Sequence, residues 1–333
     1  MKILVTGVAG LLGSRLSDWL VENTDHDVIG VDDLSGGYIE NVHDKVDFVR
    51  LDLVNLYEVE RLFKKYQPDI VYHFAAYAAE GLSPFIRKFN YENNLIASTN
   101  LISKSIQFNV RRFVFASSMC VYGDQPNPPF SEDLLPRPMD PYGIAKYAVE
   151  MDLAVAFEQH GLPYTIIRPH NFYGVKQNIW DKYRNVLGIW MYQILNNQEP
   201  TIYGDGFQKR AFSYVDDSIE PFWRASQDDK CIGETINLGG IHDYTINDAC
   251  EVVRSVTKTS LSAVHLEPRH EAMNAWSTWD KSVEYLGFEH KVDLEQGVTK
   301  MWEWAQHQPR RKRINWDNYE LEKGIYRYWK NKD

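Results

Sequence analysis

The chain has 333 residues, 44% hydrophobic and 25% charged, so it is long enough to bury a large core in one extended domain or in a domain with a lobe. Its net charge of −10 and isoelectric point near 5.5 argue against a nucleic-acid partner and against an anionic membrane surface. Cys120, Cys231 and Cys250 are too few and too scattered for a disulfide framework or a zinc site, so we expect reduced thiols and no bound metal.

The N-terminus is predicted to form a strand, a glycine turn and a helix in succession. Residues 2–6 are mainly β-branched and apolar, and Gly7, Gly10 and Gly13 follow at once. Such glycines let the backbone approach a pyrophosphate at the N-terminus of the following helix, although this spacing alone is weak evidence. The apolar run is too short for a signal peptide or a membrane span, so we expect a cytoplasmic protein.

The second predicted strand, at residues 27–31, ends in two acidic residues. Asp32 and Asp33 follow Gly13 by nineteen and twenty residues. A carboxylate at this distance accepts hydrogen bonds from the ribose hydroxyls of adenosine and repels a 2′-phosphate. The expected cofactor is therefore NAD rather than NADP. Asp32 is the better candidate, and a solvated turn residue is the alternative for Asp33.

Three further apolar runs, at residues 46–50, 70–76 and 113–116, are predicted to be strands separated by helical segments. This alternation predicts an α/β fold with a doubly wound parallel sheet. Ser118 comes just after the last of these runs, at the end of the sheet where α/β proteins bind ligands. Its hydroxyl is a candidate hydrogen-bond partner for a substrate oxygen.

Tyr142 and Lys146 lie four residues apart near the start of a predicted helix. Asp140 is a favourable N-cap and Pro141 a favourable first helical residue. The two side chains then share one face of the helix, where an ammonium group favours the phenolate. The pair is a candidate proton shuttle, and a surface tyrosine and lysine at helical spacing is the alternative.

These motifs resemble the extended short-chain dehydrogenase/reductase family, in particular its NAD-dependent sugar-nucleotide epimerases and dehydratases. The matching segments are 6–13, 32–33, 52–53, 73–76, 118–123, 142–146, 168–174, 210–217 and 237–239. The resemblance implies a Rossmann sheet with a smaller C-terminal mixed α/β substrate lobe. The implied division is an NAD-binding domain at 1–175 plus about 211–247, a nucleotide-sugar lobe at about 176–210 plus 248–308, and a basic and aromatic tail at 309–333.

The resemblance also implies that Ser118, Tyr142 and Lys146 form the catalytic unit of an enzyme. Lys146 and the cofactor are expected to lower the pKa of Tyr142, which then takes the proton of a sugar hydroxyl as hydride leaves that carbon for NAD. The residues that match NAD contacts of the family are Gly7, Gly10, Leu11, Leu12, Gly13, Asp32, Asp33, Asp52, Leu53, Phe74, Ala75, Ala76, Asn94, Tyr142 and Lys146.

Dehydratases of this family resemble one another in carrying Asp and Glu directly after the catalytic Ser or Thr, where this chain has Met119 and Cys120. We therefore expect no elimination of water. The keto sugar is expected to rotate and recover the hydride on its other face, as in a C4 epimerase with tightly held NAD. Two alternatives stay open: a nucleotide-sugar dehydrogenase or reductase that releases a keto sugar, and a non-catalytic NAD-sensing protein.

The implied substrate is a nucleotide-diphosphate sugar. Asn171, Arg210 and Arg269 match residues that contact the diphosphate. Glu271 matches an acid that contacts the nucleotide ribose, although its segment is one residue shorter here. Ala275 stands where some hexose-specific relatives carry a bulky aromatic residue, which suggests room for an N-acetyl group at C2. The sequence does not identify the nucleotide or the sugar, and UDP is expected because it is frequent in the family.

Three expectations concern the remaining chain. Residues 177–199 are predicted to form an amphipathic helix at the start of the substrate lobe.

The four residues 310–313 are basic, and several aromatic residues follow them. We expect this tail to pack on its own or a partner subunit. Helices at 96–106 and 142–157 match those that form the dimer contact of relatives, so we expect a homodimer.

Overall fold

The computed structural model describes residues 1–330, with a seven-stranded parallel sheet at its centre. The strands of the chain are β1 Lys2–Thr6, β2 Asp27–Asp32, β3 Asp47–Arg50, β4 Ile70–His73, β5 Arg112–Ala116, β6 Tyr164–Pro169, β7 Phe172–Tyr173, β8 Thr201–Tyr203, β9 Lys209–Ala211, β10 Ser213–Tyr214, β11 Glu234–Leu238, β12 Asp243–Thr245, β13 Val264–Leu266 and β14 Asn274–Ala275. The central sheet has the order β11-β6-β5-β4-β1-β2-β3. The strand order therefore reverses between β1 and β4, where such sheets bind ligands.

Helices cover both faces of this sheet. They are α1 Leu11–Asn23, α2 Leu56–Tyr66, α3 Arg87–Tyr91, α4 Ala97–Gln107, α5 Pro141–His160, α6 Val186–Leu195, α7 Ile219–Gln227, α8 Ile246–Thr257, α9 Asp280–Leu286, α10 Leu294–Gln306 and α11 Arg327–Lys330. Apolar side chains of α2, α4 and α5, such as Phe63 and Leu153, pack on one face of the sheet. Those of α1, α7 and α9, such as Leu16 and Phe222, pack on the other. The doubly wound α/β fold expected from the sequence is confirmed.

Helix α5 begins where its sequence predicts. Pro141 is its first residue, and Oδ1 of Asp140 accepts a hydrogen bond from the backbone N–H of Gly143 at 2.9 Å. The cap satisfies one of the N–H groups that a helix N-terminus leaves without a partner. The helix ends at Gly161, whose φ of +69° is a left-handed conformation that glycine adopts without strain.

The predicted helix over residues 177–199 is wrong in its first half, because α6 begins only at Val186. Side-chain oxygens of Asn178 and Asp181 accept hydrogen bonds from the backbone N–H groups of Trp180 and Tyr183, at 3.0 and 2.9 Å. These local bonds compete with helical hydrogen bonds. Residues 177–185 therefore form an irregular segment, which later proves to line the site.

The C-terminal segment packs on its own subunit, one of the two expected alternatives. Trp329 and Ile325 are buried in a cluster with Phe85 and Tyr183. Oη of Tyr183 also lies 2.9 Å from Oη of Tyr319. The last three residues of the predicted tail, 331–333, lie outside the described residues. Within residues 1–330, no helix is long and apolar enough to cross a membrane.

Candidate active site

A first cavity, called here the glycine-loop cavity, opens at the carboxyl end of β1. Gly7 has a φ of +70°, and a Cβ there would lie 2.7 Å from the backbone nitrogen of Ala75. A Cβ on Gly13 would collide with the carbonyl oxygen of Gly7. Gly10 offers no side chain to cap α1, so the first N–H groups of this helix stay available. Closely approachable backbone at a helix N-terminus fits a diphosphate.

Asp32 ends β2 on the wall of the same cavity and is 9% exposed. Its two carboxylate oxygens accept hydrogen bonds from the backbone N–H groups of Ala9, at 3.0 Å, and Leu34, at 2.8 Å. Burial raises the pKa of the Asp32 carboxyl, and the two hydrogen bonds act in the opposite direction. The carboxylate is thus fixed in orientation, as a group that accepts ribose hydroxyls must be.

Most of the residues predicted to hold NAD meet at this cavity. Its wall includes Gly7, Gly10, Leu11, Leu12, Gly13, Asp32, Asp33, Asp52, Leu53, Phe74, Ala75, Ala76, Tyr142 and Lys146. Asn94 does not belong to this wall. It is buried, and its side-chain amide accepts the N–H of Tyr77 at 2.9 Å and donates to its carbonyl at 3.2 Å. Asn94 therefore positions the loop after β4.

The second cavity, called here the arginine-lined cavity, brings together most of the predicted substrate residues. Its wall includes Ser118, Tyr142, Asn171, Arg210, Arg269 and Glu271. Ala275 does not line it, because this side chain is buried in a cluster with Met119 and Phe130. The hypothesis that Ala275 makes room for an N-acetyl group stays a prediction.

Tyr142 lies on the walls of both cavities and is 7% exposed. Burial raises the pKa of its phenol, and a hydrogen bond with Ser118 acts in the opposite direction. The neighbouring Cys120, Glu80 and Asp140 side chains act in the same direction as burial, so they oppose the lowering of this pKa that is expected from Lys146 and the cofactor. The tyrosine thus lies at the junction of the cavities, where burial favours its neutral form and the hydrogen bond with Ser118 favours the phenolate.

Lys146 lies one turn further along α5. Its Nζ donates a hydrogen bond to the carbonyl oxygen of Ala116 at 2.7 Å and stands 4.6 Å from the centre of the Phe115 ring. Burial lowers the pKa of Lys146 to about 7, and the Glu150 carboxylate acts in the opposite direction. Near neutral pH this amine therefore populates both protonation states, which suits a group that passes a proton.

Sequence reasoning missed the Glu80 carboxyl group beside Tyr142 and the raised pKa of the capping residue Asp140. Glu80 lines the arginine-lined cavity and forms a hydrogen bond with the Cys120 side chain. Burial and the charge of Glu80 raise the pKa of Asp140 to about 7. Met119 and Cys120 indeed offer no carboxylate, but the fold supplies acidic groups from elsewhere in the chain.

The two predicted arginines share one carboxylate. Nη2 of Arg210 lies 3.1 Å and Nη2 of Arg269 lies 3.4 Å from Oε2 of Glu271. Cζ of Arg269 also stands 4.1 Å above the ring of Tyr203. Two guanidinium groups on one cavity wall, aligned by a common acid, suit the oxygens of a diphosphate.

Asn171 reaches the same wall in a left-handed conformation, with φ of +37°. Its side-chain amide donates to the carbonyl oxygen of Ala211 at 2.8 Å. This bond orients the amide beside the cavity, where the resemblance expects a diphosphate contact.

A buried ion pair supports the catalytic helix from behind. Glu150 of α5 accepts hydrogen bonds from Nη2 of Arg168 at 2.6 Å and from Nε at 2.9 Å. Ser117 donates to the same carboxylate at 2.5 Å, and Arg168 donates to Oη of Tyr122 at 2.8 Å. The network ties α5 to β6 and to the turn that carries Ser118, so Ser118, Tyr142 and Lys146 share a rigid support.

Several wall residues were not predicted from the sequence. They are Gly36, Gly37, Tyr38, Asn41, Glu80, Lys176, Gln177, Asn178, Tyr183, Arg184, Asn185, Tyr203 and Gln208. The one local signal was the glycine pair that follows Asp32 by four and five residues, where a close approach to a ligand is expected. Among residues 1–330, no group of His, Cys, Asp or Glu side chains is arranged to hold a metal ion.

Known proteins resemble this chain over nearly its whole length. The UDP-glucose 4-epimerase of Mycolicibacterium smegmatis is 30% identical over 307 residues, which cover 90% of this chain and 97% of that protein. The structure of UDP-glucose 4-epimerase from Thermotoga maritima with UDP-glucose has a TM-score of 0.86 at 34% identity and covers 91% of this chain and 98% of its own. The structure of UDP-N-acetylglucosamine 4-epimerase from Methanobrevibacter ruminantium, in complex with UDP-N-acetylmuramic acid, has a TM-score of 0.84 at 28% identity. It covers 91% of this chain and 97% of its own.

A family profile agrees with these likenesses. The NAD dependent epimerase/dehydratase family matches residues 3–239, which contain the glycine loop, Tyr142, Lys146 and Arg210. The match spans more than half of the chain and includes the wall residues of the glycine-loop cavity, whereas Arg269 and Glu271 of the arginine-lined cavity lie beyond it. The chain therefore belongs to the NAD dependent epimerase/dehydratase family.

Proposed function

We propose that this protein is an NAD-dependent epimerase that inverts C4 of a UDP-hexose or a UDP-N-acetylhexosamine through a transient 4-keto sugar. The observation that carries the proposal is the position of Tyr142, which lies on the walls of both the glycine-loop cavity and the arginine-lined cavity. A proton-transfer group at that junction faces a cofactor on one side and a sugar on the other. The 4-epimerase relatives support the same reaction.

The glycine loop and Asp32 hold NAD in this proposal. The loop offers backbone N–H groups to the diphosphate, and the Asp32 carboxylate accepts the adenosine ribose hydroxyls. Bound NAD supplies the chemistry of taking a hydride from the sugar carbon and giving it back. A 2′-phosphate beside Asp32 is disfavoured, because two negative groups repel each other there.

Ser118, Tyr142 and Lys146 move the proton. Oη of Tyr142 takes the proton of the C4 hydroxyl group as that carbon loses hydride, and returns it to the same oxygen as the rotated keto carbon regains hydride on its other face. Ser118 binds the same sugar oxygen, and its hydrogen bond favours the Tyr142 phenolate. Lys146, with its pKa lowered to about 7, stabilises the phenolate when protonated.

The substrate diphosphate is proposed to bind at Arg210 and Arg269, with Asn171 beside them. Glu271 holds both guanidinium groups in place and is proposed to meet the nucleotide ribose. We also propose an NAD-binding part at residues 1–175 plus about 211–247 and a nucleotide-sugar part at about 176–210 plus 248–308. The wall of the glycine-loop cavity comes almost wholly from the first part, and Arg210, Arg269 and Glu271 belong to the second.

A homodimer through α4 and α5 is part of the proposal. Along α5, Ile144, Met151 and Val155 are 42%, 57% and 46% exposed, and Ile96, just before α4, is 43% exposed. The spacing of seven and four residues on α5 forms one apolar stripe. Such a stripe on a helix surface is typical of an interface.

A turnover assay without added NAD tests the proposed function. Purified protein is incubated with UDP-glucose, UDP-N-acetylglucosamine and further nucleotide sugars, and products are followed by NMR while NADH is followed by its absorbance. Many turnovers to a C4 isomer without lasting NADH are expected. NADH that forms in proportion to enzyme and then stalls would indicate a dehydrogenase or reductase instead, and no reaction across the sugars would favour the NAD-sensing alternative.

A further inference from the structure

Arg184 belongs to the irregular segment before α6 and lies on the walls of both cavities. Its side chain is 21% exposed, and the Asp181 side chain that it contacts is 1% exposed. Gly36, in the loop after β2, packs so closely against it that an added Cβ would collide with Nη2 of Arg184. The guanidinium therefore sits against the glycine-rich loop that borders Asp32.

Two neighbours fix the orientation of this guanidinium. Nε of Arg184 donates to Oδ2 of Asp181 at 2.9 Å. Cζ of Arg184 stands 4.7 Å from the centre of the Tyr77 ring. A guanidinium carries more donors than these contacts use, so donors remain for a ligand in the cavity.

The wall of the glycine-loop cavity carries more acidic than basic side chains, so a diphosphate bound there needs a cation close to it. Its described wall carries the carboxylates of Asp32, Asp33 and Asp52, and its basic side chains are Lys146 and Arg184. Burial lowers the pKa of Lys146 to about 7, so this amine is not a permanent charge near neutral pH. Arg184 stays charged at every physiological pH. It is thus the lasting positive group available to a dianionic diphosphate.

We propose that Arg184 binds the diphosphate of NAD from the side opposite the glycine loop. The inference rests on the NAD site of the proposed function and extends it to a residue outside the motifs of the glycine loop and the catalytic helix. The glycine loop contributes N–H dipoles at the N-terminus of α1, and Arg184 contributes the full charge that the loop lacks.

The C-terminal segment holds Arg184 in place. The backbone N–H of Ile314 donates to the carbonyl oxygen of Trp180 at 2.8 Å, and that of Trp316 donates to Oη of Tyr183 at 3.0 Å. Both contacts clamp the stretch that carries Asp181 and Arg184. This gives the aromatic tail a positioning role that composition alone did not indicate.

The release of bound NAD tests the proposal without any sugar. Holoenzyme is loaded with labelled NAD, chased with excess unlabelled NAD, and filtered over time, for wild type, Arg184→Ala and Arg184→Lys. Arg184→Ala is expected to release NAD roughly tenfold to hundredfold faster, as the loss of a charge-assisted hydrogen bond predicts. Arg184→Lys keeps the charge, and its rate of NAD release is expected to lie between those of wild type and Arg184→Ala. Arg254→Ala is the matched control, because Arg254 pairs with Glu251 at the same three-residue spacing as Arg184 with Asp181. This variant is expected to release NAD like wild type.

Two further readouts separate a diphosphate ligand from a merely structural arginine. Added salt is expected to speed release from wild type more than from Arg184→Ala, since the variant lacks the screened charge. The affinity for UDP is expected to stay unchanged in Arg184→Ala. The proposal would be overturned if Arg184→Ala released NAD at the wild-type rate or kept the wild-type salt dependence. It would also be overturned if the variant lost as much affinity for UDP as it lost for NAD. A holoenzyme that retains NAD as described but epimerises no sugar would overturn the proposed function alone.

Discussion

Nζ of Lys146 lies 5.9 Å from the centre of the Tyr142 ring, one helical turn away, and its hydrogen bond goes to the carbonyl oxygen of Ala116. The lysine is therefore anchored to the end of β5 rather than to the tyrosine. A protonated Lys146 at this distance is expected to favour the phenolate through space rather than through a hydrogen bond, and this is the geometry in which Tyr142 is expected to exchange a proton with the sugar.

Tyr142→Phe is expected to lower the turnover number roughly 100-fold to 10,000-fold, because it removes the proton-transfer group and keeps the ring. NAD content should stay near that of wild type. Both are measured on purified protein, by NMR of the product sugar and by release of bound nucleotide. Tyr147→Phe, the same change five residues along α5, is the control and should leave turnover unaltered. Equal turnover in Tyr142→Phe and wild type would show that the proposed mechanism is wrong.

The parts of this site that follow local rules were predictable. Strands, the glycine turn and the capped start of α5 depend on neighbours within a few residues, and the pattern of apolar residues shows them. Residues 177–185 were mispredicted because Asn178 and Asp181 form turns and because the distant Ile314 fixes their course. Contacts across more than a hundred residues leave no local pattern.

Some properties of the side chains could not be predicted for a different reason. Spacing shows that Tyr142 and Lys146 share a helix face, but it does not show how deeply the fold buries them. Burial decides the direction of both pKa shifts. Likewise, Glu80 comes close to Cys120 only through the course of the loop after β4, which no spacing rule predicts.

Asp32→Ala is expected to weaken NAD binding at least about tenfold and to narrow the preference for NAD over NADP, since the variant no longer repels a 2′-phosphate. The measurement is the affinity for each cofactor, or the cofactor content after purification. Asp27→Ala, at the exposed start of the same strand, is the control and should change neither value. If Asp32→Ala still discriminates fully against NADP, Asp32 does not bind the adenosine ribose.

Arg210→Ala is expected to raise KM for the nucleotide sugar about tenfold or more and to change kcat less, because the diphosphate lies away from the reacting carbon. UDP as a competitive inhibitor should weaken in parallel. Lys209→Ala removes the neighbouring cation, which pairs with Asp243 instead, and should leave KM unaltered. If both variants bind UDP as tightly as wild type, the diphosphate does not bind at Arg210.

The pKa of Asp140, raised to about 7 by burial and by Glu80, predicts a pH dependence of stability. In the unfolded chain the pKa of Asp140 is near 3.8, and below that pH the carboxyl is protonated in both the folded and the unfolded protein. As pH rises from there to about 7, the unfolded chain releases the proton and the folded protein keeps it, so the free energy of unfolding falls. Above about 7 the destabilisation is complete.

Asp140→Asn removes this titration and retains a good N-cap. Between about pH 5 and about pH 8, wild type is expected to lose on the order of 2 kcal/mol more unfolding free energy than the variant. Urea unfolding at both pH values gives the comparison. Asp293→Asn, at the exposed cap of α10, should leave the pH dependence of wild type intact. Parallel curves for wild type and Asp140→Asn would contradict the raised pKa.

Met151→Glu is expected to convert a dimer into a monomer, because it places a charge in the middle of the apolar stripe on α5. Light scattering coupled to size-exclusion chromatography measures the mass. Val283→Glu changes an apolar residue of α9 that is 45% exposed and should leave the mass unaltered. A wild-type protein that runs as a monomer at all concentrations would rule out the dimer.

The buried pair of Glu150 and Arg168 also bears on how such an enzyme diverges. It anchors Tyr142 and Lys146 to β6, whereas Arg210 belongs to the separate small strand β9. Substitutions on β9 that reshape the Arg210 side of the arginine-lined cavity are therefore expected to leave Tyr142 and Lys146 on their own support. Sugar preference and proton transfer are thus expected to be separable by mutation, since each depends on a different support in the fold.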